Sequence, residues 1–170
     1  MRSSDYPAGA RVFALSATVR AGHPPGRHRP GYGNRVGHRS VPHTADIRIE
    51  AWAPTREECI AEAVAATVES FADTTGSTPT ATVEVLIDPG TDEDLLLDVL
   101  SEVIYQIETT GQVPLGTRVE ALPSGLRVTF EMTDADRVEP VGAAPKAVSL
   151  HDLRFTQDGG QWRCSVILDV

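Results

Sequence analysis

From Gly111 to the end of this 170-residue chain the hydrophobic residues recur at every second position, whereas two longer segments before it follow a helical spacing. That change of period constrains the fold most. A two-residue repeat buries one face of a strand, and a 3.6-residue repeat buries one stripe of a helix. "TRVEAL", the turn Pro123-Ser124-Gly125 and "LRVTFEM" read as one hairpin. "KAVSLHDLRF", the turn Asp158-Gly159-Gly160 and "WRCSVILDV" read as a second, with residues 133–145 as a loop between them.

The first half alternates strand and helix. "ADIRIEAW" places Ile47, Ile49 and Ala51 on one face and Asp46, Arg48 and Glu50 on the other. Thr55 and Glu58 then form a capping box, and the spacing of Ile60, Val64, Val68 and Phe71 predicts a helix over 56–72. "TATVEVLID" is a second strand. Thr91 caps the acidic turn Asp92-Glu93-Asp94, and a helix with Leu96, Leu100, Val103, Ile104 and Ile107 on its inner stripe runs to a stop at Gly111. The order β-α-β-α-β-β-β-β predicts an α+β domain, two helices packed on a mostly antiparallel or mixed sheet.

Residues 1–37 stand apart as an expected disordered tail, with residues 38–170 forming the domain. "RAGHPPGRHRPGYGNRVGHRS" has no hydrophobic period and cannot bury enough surface to offset its ordering entropy. The short run Val12–Ala17 is too brief for a signal-peptide core, and no apolar stretch is long enough to span a membrane, so a cytoplasmic protein is expected. Residues 1–35 carry a formal charge of +5 and residues 36–170 carry −14. Such an acidic body repels phosphate, which argues against strong direct binding of nucleic acid and for work through a protein partner. Cys59 and Cys164 both fall at inward-facing positions and are expected to be reduced, buried thiols.

The chemistry-bearing residues are few. There is no nucleotide loop, GxSxG, CxxC or HExxH, and no catalytic residue is assigned. Asp46 begins one strand and Asp169 ends another, one place before Val170. If those strands meet, the two acids and Val170 converge, and crowded carboxylates are relieved by a proton or a hard cation. His43, Lys146 (the sole lysine) and His151 lie nearby in the pattern as supporting or partner-contact candidates. A free-standing hydrolase built on Asp46, Asp169 and His151 is the alternative from another class, although no paired general base or nucleophile accompanies them.

"PHTADIRIEAW" (42–52), "DLLLDVLSEVIYQIET" (94–109), "KAVSLHDL" (146–153) and "WRCSVILDV" (162–170) together resemble the archease family, in its order and spacing. The resemblance covers about residues 38–170. It implies a non-catalytic activator of the tRNA-splicing RNA ligase, promoting the ligase's guanylylation and multiple turnover and altering its nucleotide triphosphate specificity. It also implies a divalent ion, calcium first and magnesium as the alternative, held by Asp46, Asp169 and Val170. The chain departs from the family pattern at Arg48, where a small residue is usual. It departs again at Val99 and Leu150, where aromatics are usual, and in the loop before Lys146, which lacks a common histidine.

Overall fold

The structure, a computed structural model, describes residues 10–12, 36–42 and 46–170. Two four-stranded sheets pack with two helices around a shared core, and every strand pair among the described residues is antiparallel. One sheet has the order β1 (Ala10–Val12), β5 (Ala81–Ile87), β7 (Gly125–Asp134), β6 (Gln112–Leu122). The other has the order β2 (Gly37–Pro42), β3 (Asp46–Ala53), β10 (Gln161–Asp169), β9 (Ala147–Asp158). Two short strands, β4 (Ala72–Asp73) and β8 (Glu139–Pro140), pair separately. The α+β class and both expected hairpins are therefore present.

The helices form where their caps are written. In α1 (Arg56–Glu69) the Thr55 hydroxyl oxygen accepts from the Glu58 N–H at 3.2 Å and its O–H donates to the Glu58 carboxylate at 2.9 Å. In α2 (Asp92–Thr110) Thr91 and Asp94 exchange bonds in both directions, and Gly111 closes the helix at a φ of 66°. That left-handed conformation is one glycine adopts without a Cβ penalty. The α1 helix is three residues shorter than its periodicity predicts: Phe71 is buried but stands just beyond the last turn, where Ser70 bonds back to Ala66 and Thr67.

One hydrophobic cluster joins both sheets and both helices. Ile49, Ala51 and Ala53 of β3, Cys164, Val166 and Leu168 of β10, and Leu126, Val128, Phe130 and Met132 of β7 meet the inner faces of α1 and α2. Cys59 and Cys164 are buried free thiols, as expected, and the Cys59 thiol is pushed up by its hydrogen bond with Cys164 and by burial. Ile107, predicted on the inner stripe of α2, is only half-buried. Among the described residues no helix is long and apolar enough to cross a membrane.

Several features of the fold are not legible in the sequence. The segment 10–12, placed in the tail, pairs with β5. The segment 37–42, at the tail's boundary, forms edge strand β2 beside β3. The loop 133–145 holds the end of β7, a single 3₁₀ turn (Ala135–Arg137) and β8. Strand β2 is fixed to α1 by His38, whose Nδ1 lies 2.7 Å from Glu62 and whose Nε2 lies 2.7 Å from Glu69. A neutral imidazole has one N–H, so two carboxylate partners favour the imidazolium.

Two titrations follow from this packing. Burial opposes the charge on His38, but the bonds to Glu62 and Glu69 outweigh it and raise its pKa. A raised histidine pKa gives stability that is fully present below the usual imidazole value of about 6.5 and is lost as pH rises through the folded value. Denaturant unfolding of the wild type should therefore lose stability above about pH 6.5 relative to His38→Asn. Glu102 on α2 is buried, and burial raises its pKa although Gln106 donates to it at 2.7 Å. The folded state then holds that proton more tightly than the unfolded chain, so ionised Glu102 weakens the fold as pH rises. Glu102→Gln should raise the melting temperature at neutral pH and change it little near pH 4, as differential scanning calorimetry would read.

Candidate functional site

The central pairing of the second sheet decides where the acids lie. Strands β3 and β10 run antiparallel over eight residue pairs, from Trp162 opposite Ala53 to Asp169 opposite Asp46. Period-two geometry then sends Ile49, Ala51, Cys164 and Val166 to the core and Asp46, Arg48, Arg163, Ser165 and Asp169 to the outer face. Asp46 and Asp169 are thus direct cross-strand partners, half-buried and exposed respectively, with Val170 next in the chain and half-buried. Directly opposed residues keep their Cβ atoms about 4.5–5.5 Å apart, and like charges there are unfavourable. Among the described residues, neither carboxylate has a cationic partner within ion-pair distance.

Strand β9 reaches the same end of the sheet. Ala147 pairs with Asp169, and the Lys146 backbone N–H donates to the Asp169 carbonyl at 2.8 Å. Lys146 itself is exposed beside the two acids. His151 is not brought to them. Between Ser149 opposite Ile167 and Arg154 opposite Ser165, four residues of β9 face the single residue Val166, and His151 stands out on that bulge with 84% of its side chain exposed. His43 lies outside the described residues. No set of three or more His, Cys, Asp or Glu side chains among the described residues gathers as a metal site. The carboxylates of Asp46 and Asp169 offer oxygen donors, the kind that calcium and magnesium take.

The bulge was not read from the sequence. Asp152 at its crest has a φ of 59°, and its carboxylate meets the Arg48 guanidinium at 3.4 Å. Arg48 also donates to the Ser165 hydroxyl at 3.0 Å, so its side chain spans from β3 across β10 to β9. The available signal was an aspartate within a run otherwise patterned as strand, a residue depleted there and tolerant of the left-handed conformation.

The pattern of the Archease protein family (MTH1598/TM1083) matches residues 38–170. The chain belongs to the archease family. A protein described as a probable archease from Mycobacterium tuberculosis is 50% identical over 157 residues, covering 92% of this chain and 83% of that one. An archease from Methanopyrus kandleri is 29% identical over 136 residues, covering 76% of this chain and 96% of its own length. Among solved structures, an archease from Thermotoga maritima, described as a possible chaperone, superposes with a TM-score of 0.57 at 25% identity, over 85% of this chain and all of that one. Protein 1598 of Methanobacterium thermoautotrophicum shares the fold with a TM-score of 0.64 at 24% identity, over 79% of this chain and 99% of its own.

The opposed acids of this archease carry an energetic consequence. In a chelating buffer, Asp46→Asn or Asp169→Asn removes a like-charge opposition and should stabilise the fold by roughly 0.2–1 kcal/mol, read from thermal melts.

Proposed function

We propose that this archease is a non-catalytic activator of a tRNA-splicing RNA ligase, and that Asp46, Asp169 and Val170 hold a divalent ion, calcium before magnesium. The activity proposed is faster guanylylation of the ligase, multiple turnover and an altered choice of nucleotide triphosphate, in the cytoplasm and in tRNA processing. Family membership supports the class of function. The observation that carries the site is the direct opposition of Asp46 and Asp169 at the end of β3 and β10.

Two like-charged carboxylates held opposite one another by a backbone register gain most from a hard cation, which neutralises both at once. When bound, such an ion would supply a positive centre able to orient phosphate oxygens. Calcium takes 6 to 8 oxygens. Two carboxylates and Val170 leave several coordination positions for water or for groups of a partner, which suits a site placed at an exposed sheet end. Lys146 stands at that end as a contact for the partner, with His43 and His151 as further candidates. The ligase must carry basic surface to hold RNA, and the charge of −14 over residues 36–170 would steer this protein towards it.

A hydrolase built on Asp46, Asp169 and His151 gains no support, because His151 stands on the bulge and away from the acid pair. The test adds this protein to its partner ligase and measures guanylylation with labelled GTP. The wild type should accelerate the reaction at least tenfold, and Asp46→Ala or Asp169→Ala should abolish the gain and the calcium uptake seen by calorimetry. Equal acceleration by the variants would overturn the role of the acids. No acceleration by the wild type would overturn the activator reading.

A further inference from the structure

The outer face of the sheet β2-β3-β10-β9 carries a second constellation beyond the acid pair. Arg163 lies opposite Trp52 on one side and Thr156 on the other, and in the neighbouring row Ser165 lies opposite Glu50 and Arg154. These six residues line a shallow depression of about 230 Å³. The register makes Arg163 and Arg154 diagonal neighbours on one face, a separation of about 7–8 Å that lets two long guanidinium side chains reach a common point.

Their charge is unspent. Arg39, Arg48, Arg56, Arg127 and Arg137 each lie within 3.5 Å of a carboxylate. Arg154 and Arg163 have no carboxylate partner among the described residues, and the Arg163 guanidinium donates to the Gln161 side chain at 2.9 Å. The one acid lining the depression, Glu50, accepts from Arg39 through Nε at 2.8 Å and is 2.7 Å from its Nη2. Two adjacent unpaired guanidiniums, with the Ser165 and Thr156 hydroxyls between and beside them, make a local anion site on an otherwise acidic body.

We infer that this depression binds a small phosphomonoester with an aromatic base, a nucleoside monophosphate, with Arg154 and Arg163 on the phosphate and Trp52 against the base. Trp52 is set for that role: its ring lies against Gly37 of β2, where an added Cβ would strike the indole. A backing strand that holds the ring in place lowers the entropy cost of stacking a base on it. A long RNA would meet the repulsion of the surrounding acids, whereas a small anion feels chiefly the two nearby arginines. An acidic peptide would answer the charge but would make no use of the indole plane.

The site lies two to three rows along the sheet from Asp46 and Asp169, so it is independent of the ion and of any ligase. Calorimetric titration of the full chain with AMP, adenosine, inorganic phosphate and a glutamate-rich peptide tests it. AMP should bind saturably, at least tenfold tighter than phosphate, with adenosine and the peptide weaker still. Arg154→Gln and Arg163→Gln, both at exposed positions, should each weaken AMP about tenfold or more. Trp52→Phe should weaken it less, and Asp169→Asn should leave it unchanged. The assignment is overturned if AMP binds no tighter than phosphate, if the peptide binds better, or if the folded arginine variants bind AMP as the wild type does.

Discussion

Eight cross-strand pairs between β3 and β10 hold the architecture together. They join segments more than a hundred residues apart in the chain, and they are made at the centre of a sheet whose other two strands each hang on one of them. Because side chains alternate, this one register decides two things at once. It puts Ile49, Ala51, Val166 and Leu168 into the core, and it puts Asp46 opposite Asp169 on the other face. A slip by one residue would bury the acids and expose the aliphatic residues. The hydrophobic penalty of that slip therefore fixes the geometry of the polar face.

That polar face is organised by rows. The carboxylates occupy one end, Arg48 with its links to Ser165 and Asp152 the next row, and the arginine and tryptophan depression the far end. Separate chemistries coexist there because β9 and β10 present hydroxyl and guanidinium groups at the positions where β3 presents acids and an indole. The core-facing side of that sheet meets both helices, and the acidic first turns of the helices are spent on capping and on the helix dipole.

Much of this was legible in the sequence because the decisive signals are local or periodic. Thr55 with Glu58, Thr91 with Asp94 and Gly111 mark helix ends, and alternation around Ile49 and Val166 marks the central strands. The meeting of Asp46 and Asp169 was anticipated only as a condition, since no local pattern states which strands become neighbours. What stayed hidden depends on tertiary partners. Residues 37–42 lack a strand-like composition and pair because β3 offers a free edge and because His38 finds Glu62 and Glu69 on α1. The bulge at 150–153 is marked in the sequence only by Asp152, and its extent depends on the register between β9 and β10. The C-terminal end of α1 was placed three residues too far along because Phe71 packs inward from a position after the helix.

Strand β10 follows every other element in the chain yet sits between β3 and β9 in the sheet. During synthesis the first two helices and the hairpin of β6 and β7 can emerge and collapse early. The second sheet must wait for its middle member, with β3 exposing an unsatisfied edge meanwhile. Nascent chains of this protein should therefore keep a half-built second sheet until the ribosome has released β10, and a chain cut before Gln161 would lack the middle strand of that sheet.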